Sequence, residues 1–78
     1  MSDVDTVFCR LLLKETHALV KQRDPEISLR AAWVYHFHRD HWEFHAPDGY
    51  YWHGRAGNAY EARHKGWTAW LNQVELVR

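Results

Sequence analysis

The chain has 78 residues, of which 46% are hydrophobic and 15% aromatic, and its ten basic and ten acidic residues give a formal net charge of zero at pH 7. A chain this short buries only about 60% of the surface that its unfolded form exposes, so it has room for one core and little more. The composition excludes intrinsic disorder, and the longest aliphatic run, residues 11–13, is too short to cross a membrane. We therefore expect one domain over residues 1–78, without the deep cleft of a conventional enzyme and without a cofactor.

The N-terminal residues and the cysteine count indicate the compartment. Residues 2–5 hold two acids and no basic cluster ahead of an apolar run, which is unlike a signal peptide. The only cysteine, Cys9, cannot form an internal disulfide, and no histidine in its helical turn could activate it as a nucleophile. We predict a cytoplasmic protein in which Cys9 is a small packing residue.

A first helix is predicted over about residues 4–22, and its end is marked by Pro25. Ser2 is the predicted N-cap, and residues 24–31 form a connector. The apolar stripe expected to face the core comprises Val4, Phe8, Leu11, Leu12, Ala18 and Leu19. His17 lies among charged residues of this helix, as His64 does in the last helix, and both are expected to be solvated and to have no role.

From Trp33 onward the hydrophobic period changes to two, which predicts strands over residues 33–38 and 41–45 joined by a turn at Arg39-Asp40. A second turn at Pro47-Asp48-Gly49 leads to a third strand over residues 50–53.

The last helix is predicted to begin at the cap Asn58, with Glu61 three residues later, and to end near Gln73. Its expected inner side comprises Tyr60, Trp67, Trp70, Leu71 and Val74. Gly66 lies inside this helix at a cost of about 1 kcal/mol relative to alanine, so we expect the helix to approach the sheet closely there.

Alternation through both turns divides the sheet into two faces. The expected register pairs His38 with His41, Tyr35 with Phe44 and Phe44 with Trp52. The aromatic face comprises Trp33, Tyr35, Phe37, Trp42, Phe44, Tyr50 and Trp52. The opposite face comprises Val34, His36, His38, His41, Glu43, His45, Tyr51 and His53. We expect an α+β fold of helix, three-stranded antiparallel meander and helix, with both helices covering the aromatic face as its core.

The histidine-rich face, left open, is the first candidate for binding a partner. The predicted contact residues are His36, His38, His41, Glu43, His45, Tyr51 and His53. His36, His38 and His41 on adjacent strands are weaker candidates for a divalent metal site, and the row of His36, Glu43 and His53 is a second one. Both are disfavoured because an open sheet face offers neither hydrogen-bond partners that orient the ligands nor a dry cavity. Solvated or partner-contacting histidines are the expectation that we favour.

The order of elements is similar to that of double-stranded-RNA-binding domains, and its strand-rich part resembles the sheet-reading DNA-binding domains of plant transcription factors and phage integrases. This resemblance implies a nucleic-acid-binding alternative that uses the sheet or the last helix, with Arg55, Arg63 and Lys65 as its phosphate contacts. The zero net charge disfavours it, because phosphate neutralisation supplies most of the affinity of such domains.

A second resemblance rests on three segments, residues 48–54 (DGYYWHG), 58–63 (NAYEAR) and 66–71 (GWTAWL). Together they look like parts of small proteins of phages and prophages. The resemblance implies a compact accessory protein that binds and inhibits or modulates a host protein or ribonucleoprotein complex. Inhibitors of bacterial CRISPR defence are one such class.

The first strand is an edge of the predicted meander, and residues 33–38 contain no proline, lysine or glutamate to discourage pairing with another chain. Either the connector covers this edge, or the edge pairs with its copy in a two-fold dimer. Monomer and homodimer both remain open.

Overall fold

The computed structural model describes the backbone of residues 3–77 and the side chains of residues 6–73. It confirms the α+β fold of helix, antiparallel meander and helix. The elements in chain order are helix α1 (Asp3–Arg23), a 3-10 turn (Leu29–Ala31), strands β1 (Trp33–His38), β2 (His41–His45) and β3 (Tyr51–Arg55), and helix α2 (Ala59–Val77). The last helix thus continues four residues beyond the predicted end at Gln73. No helix within residues 3–77 has the length and apolar character needed to cross a membrane.

The predicted start of α2 is confirmed by two hydrogen bonds at its cap. The amide of Glu61 donates to Asn58 Oδ1 at 2.8 Å, and the amide of Gly57 donates to Glu61 Oε1 at 2.6 Å. Because free amides at the start of the helix are satisfied by these side chains, the chain begins its helix at Ala59. The cap predicted at Ser2 lies outside the described residues.

The second turn is also confirmed. Gly49 has a φ of 98°, a conformation that glycine adopts without a steric penalty, and the amide of Ala46 donates to the Tyr50 carbonyl at 2.9 Å. The carboxylate of Asp48 accepts from the Tyr50 amide at 3.0 Å and from Trp70 Nε1 at 2.7 Å. Asp48 therefore joins the β2–β3 turn to α2.

The sheet has the order β1-β2-β3, and its β2–β3 register is the predicted one, with Phe44 opposite Trp52. The predicted β1–β2 register is wrong beyond His38, because an irregularity between His36 and His38 leaves Phe37 as an extra residue. Tyr35 consequently lies opposite Glu43, not Phe44. A one-residue shift of this kind moves every following side chain to the other face of the sheet.

The shift reverses the predicted faces of β1. Val34 and His36 lie on the helix side with Phe44, whereas Trp33, Tyr35 and Phe37 lie on the open side. These three aromatic side chains are 51%, 54% and 46% exposed. Their assignment to the core is wrong, and they belong to the solvent-facing surface of the sheet.

The core lies between the sheet and the helices, where Phe44 and Trp67 are fully buried with their rings edge to face at 5.1 Å. The predicted close approach at Gly66 is confirmed, because a Cβ built there would overlap the Phe44 ring. The buried cluster comprises Leu13, Val20, Ile27, Ala32, Phe44, Ala46, Trp67, Trp70 and Leu71. Tyr60, expected on the inner side of α2, is instead exposed.

Helix α1 packs along α2, which contacts all three strands. The contacts of Arg10 with Tyr60 and of His17 with Trp67 follow the same order in both helices, so the helices run parallel. The side of α1 that is buried comprises Leu13, Thr16 and Val20. The predicted inner stripe is therefore wrong: its members Phe8, Leu11, Ala18 and Leu19 are exposed, while Leu12 is only partly buried. Apolar residues lie on several sides of this helix, so their spacing alone does not identify which side is buried.

Candidate functional site

The solvent-facing side of the sheet is a surface of aromatic and imidazole rings, which we call the open face. Two adjacent rows that the register defines across the three strands form the main part of this face. The first row is Trp33, His45 and Tyr51, and the second is Tyr35, Glu43 and His53. Phe37 and His41 continue the face toward the β1–β2 turn. Glu43 therefore lies at its centre, surrounded by rings.

Ring contacts order these side chains. Trp33 stacks on His45 with centroids 3.9 Å apart and planes 6° apart. Tyr35 lies parallel to Phe37 at 6.2 Å, and the ring of Phe37 meets that of His41 at 5.0 Å. Side chains that are already packed against one another lose little conformational freedom when a partner binds. The ring contacts therefore lower the entropic cost of binding a partner at the open face.

Hydrogen bonds hold the carboxylate of Glu43. His45 Nε2 lies 3.1 Å from Glu43 Oε1, and the Tyr51 hydroxyl acts on the pKa of this carboxylate as a second, weaker donor. These two bonds, that of His45 above all, lower the pKa of Glu43 below its ordinary value. Partial desolvation and the hydrogen bond to Glu43 raise the pKa of Tyr51. At neutral pH Glu43 is accordingly ionised and Tyr51 is a neutral phenol.

The arginine at one end of this face is paired. Arg55, opposite His41 in the register, donates from Nε to Asp40 Oδ2 at 2.8 Å. That hydrogen bond lowers the pKa of the Asp40 carboxyl. Arg55 is the only lysine or arginine in the three strands. The middle of the open face is therefore free of fixed positive charge.

The structure brings together five of the seven predicted contact residues: His41, Glu43, His45, Tyr51 and His53 lie on one face. His41 Nε2 and His53 Nδ1 are 3.3 Å apart.

The predicted contact residues on β1 have a different outcome. His36 lies on the opposite face, where it stacks on Trp42 at 4.5 Å and hydrogen-bonds to the Arg39 carbonyl. His38 is exposed beside the turn, opposite His41 in the register. The candidate metal set of His36, His38 and His41 is thus divided between faces. Within the described part of the chain, no group of three His, Cys, Asp or Glu side chains is placed to hold a metal ion.

The three cations of the nucleic-acid alternative do not form one patch. Lys65 Nζ donates to the Arg55 carbonyl at 2.7 Å, so Arg55 and Lys65 are neighbours at the start of α2. Arg63 instead lies beside His17 at the interface of the two helices, where its charge lowers the pKa of that histidine. Its Nε is buried and lacks a hydrogen-bond partner among the described residues.

Three residues of the open face were missed by sequence reasoning, namely Trp33, Tyr35 and Phe37. The available signal was the Arg39-Asp40 turn, which lacks the glycine that two-residue hairpin turns favour. Arg39 adopts a φ of 50°, and the strand entering this turn is irregular at Phe37. A hairpin with an unsuitable turn sequence is one in which a bulge, and hence a reversed strand face, should be considered.

The two helical histidines are not solvated as predicted, because both lie between α1 and α2. His17 meets the Trp67 ring edge on at 6.5 Å, and burial, together with Arg63, lowers its pKa. His64 Nδ1 lies 2.8 Å from Thr16 Oγ1, beside an open groove of about 620 Å³.

The Thr16–His64 pair has the composition of a nucleophile and its base, but its hydrogen bonds have the wrong direction. The Thr16 hydroxyl donates its only proton to the Leu12 carbonyl at 2.9 Å. Both contacts are satisfied together when His64 Nδ1 carries the ring proton and donates it to Thr16. Since Thr16 is also only 5% exposed, the pair joins the helices.

Comparisons of the chain with models of known protein families, with curated proteins and with solved structures found no match. The resemblances to nucleic-acid-binding domains and to phage proteins stay predictions, and function is argued from the open face.

Proposed function

We propose that the chain is a non-enzymatic binding protein that docks on another protein through the open face of its sheet. One observation carries the proposal: Trp33, Tyr35, Phe37 and Tyr51 lie on one surface, each 45–54% exposed. A domain of this size gains stability by burying large rings, so leaving four of them on one face requires a reason. Aromatic side chains are the residues that most often dominate protein–protein binding energies.

Electrostatics favours a protein partner over a nucleic acid. Exposed rings on a sheet can also stack on unpaired bases, and this observation keeps nucleic-acid binding as the second candidate. However, Glu43 places a negative charge at the centre of the open face, and Arg55 is engaged by Asp40. Phosphates would meet repulsion where they need cations.

The partner class that we propose is a host protein or ribonucleoprotein complex, with a CRISPR effector as one example. Its support is the resemblance of residues 48–54, 58–63 and 66–71 to small phage proteins. A non-enzymatic role is supported at the Thr16–His64 pair by the bond of the Thr16 hydroxyl to the Leu12 carbonyl and by the 5% exposure of Thr16.

Copurification tests the proposal. Tagged wild-type chain is expressed in a candidate host cell and recovered with and without nuclease, alongside Tyr35→Ala and the matched control Tyr60→Ala. Tyr60 is exposed on α2, where the Arg10 guanidinium lies over its ring. We expect a protein that survives nuclease and is lost only from Tyr35→Ala. Equal retention by both variants would contradict docking through the open face.

A gel-shift assay tests the second candidate. Duplex DNA, duplex RNA and single strands are each mixed with the chain at low salt, where phosphate contacts are strongest. We expect no shift. A shift that weakens steeply with salt and is lost from Tyr35→Ala would replace protein docking with base stacking on the open face.

A further inference from the structure

We infer that the centre of the open face binds an arginine side chain of the partner protein, with Glu43 as its counter-ion and the surrounding aromatic rings as its stacking surfaces. This inference rests on the proposed function and names the chemistry of the partner. It depends on three features of the face: the position of the carboxylate, its remaining hydrogen-bonding capacity, and the charge of its surroundings.

The position of Glu43 suits a planar cation. Tyr35 on β1 and His53 on β3 lie directly opposite Glu43, and Trp33 is in the adjacent row. Tyr35 and Trp33 are about half exposed, so a group seated over Glu43 would meet aromatic surface at its sides. Guanidinium groups combine hydrogen bonds to a carboxylate with stacking on aromatic rings.

The carboxylate retains capacity for a further partner. An ionised carboxylate offers about four lone-pair positions, of which His45 takes one and the Tyr51 hydroxyl at most one more. The Glu43 side chain is 29% exposed, so a group from solution can reach it. Because its pKa is lowered by these same two hydrogen bonds, Glu43 is ionised at neutral pH before a cation arrives.

Among the described residues no lysine or arginine compensates the charge of Glu43, and the imidazoles of His45 and His53 are the basic groups that act on it. In the three strands only Arg55 is a lysine or arginine, and it is paired with Asp40 at the end of the sheet. A partially desolvated acid on an aromatic surface without a lysine or arginine beside it is complementary to one positive charge. Arginine fits better than lysine, because its planar, weakly hydrated group can stack and form two parallel hydrogen bonds.

The test is an NMR titration of the ¹⁵N-labelled full chain with two blocked tripeptides, acetyl-Gly-Arg-Gly-amide and its citrulline counterpart. Citrulline keeps the shape of arginine and removes its charge. We expect the arginine peptide to cause saturable shifts centred on Glu43, His45 and Tyr51, with a Kd at least about fivefold lower than that of the citrulline peptide. The spectrum itself reports whether each variant is folded.

Glu43→Gln is the matched variant, because it keeps the size of the side chain and removes its charge. We expect it to bind the two peptides equally. The inference is overturned if wild type does not distinguish the peptides or binds neither, if the shifts lie outside the open face, or if Glu43→Gln keeps the preference for arginine.

The copurification experiment separates this inference from the proposed function. A partner protein that is lost from Tyr35→Ala but retained by Glu43→Gln would uphold docking through the open face. It would refute the binding of a partner arginine to Glu43. The opposite result is a preference for the arginine peptide in the NMR titration, with no copurified protein that is lost from Tyr35→Ala. It would uphold arginine binding at Glu43 and refute the proposed function.

Discussion

Gly66→Ala tests how α2 is seated on the sheet. The added Cβ would overlap three atoms of the Phe44 side chain, which is fully buried and packed against Trp67. Alanine in a helix gains about 1 kcal/mol over glycine, whereas overpacking a core costs about 1–3 kcal/mol. Because the Phe44 ring is fully buried against Trp67, we expect the clash to cost about 2–3 kcal/mol, the upper part of that range, and the free energy of unfolding to fall by about 1–2 kcal/mol.

For a domain of this size each kcal/mol shifts Tm by about 4–8 °C, so thermal melts followed by circular dichroism should show a Tm lower by about 5–15 °C. Asn72→Ala is the control, since Asn72 is exposed on the same helix and alanine is the better helix former there. We expect its Tm to be unchanged or slightly higher. A Gly66→Ala protein as stable as wild type would refute the close approach of α2 to β2.

Three further predictions concern stability. Trp67→Ala removes a fully buried ring and should lower the free energy of unfolding by about 3–5 kcal/mol, whereas Tyr35→Ala removes a half-exposed ring and should lower it by about 1 kcal/mol or less. Equal losses in thermal melts would mean that the two faces of the sheet are misassigned. Asp48→Ala leaves the indole N–H of Trp70, a residue that is 2% exposed, without its acceptor. Chemical denaturation should therefore show a free energy of unfolding lower by about 1–3 kcal/mol, and an unchanged midpoint would contradict the contact between Asp48 and Trp70. For His17, burial and then Arg63 lower the pKa in the folded state, so the unfolded state binds the proton more readily and stability falls as the pH drops below 6.5. In urea unfolding at pH 7.5 and pH 5.5, His17→Gln should therefore lose less stability on acidification than wild type; an equal loss in both proteins would exclude this role of His17.

The order of elements was predictable because each boundary has a strong local signal. Asn58 with Glu61 marks the start of α2, Gly49 marks the second turn, and Pro25 follows the end of α1. The inner side of α1 was not predictable in the same way. Apolar residues such as Phe8 and Leu13 lie on different sides of the helix, and packing along α2 decides which of them is buried.

The candidate site was only partly predictable for a related reason. The side chains of β2 and β3 were placed correctly, because the turn at Gly49 determines their register. The aromatic residues of β1 were placed on the wrong face, because alternation alone contains no information about the extra residue at Phe37. Only the observed pairing of β1 with β2 shows that the rings of Trp33 and Tyr35, on which the binding proposal depends, lie on the open face.

The most direct test of docking through the open face is site-specific photocrosslinking in a candidate host cell. A photoreactive phenylalanine analogue replaces Tyr35 in one protein and Tyr60 in another, so that the two exposed positions report on the sheet and on α2 respectively. Mass spectrometry then identifies the adducts. Docking through the open face predicts an adduct with one protein at position 35 and none at position 60. An adduct with nucleic acid, or a protein adduct only at position 60, would contradict it.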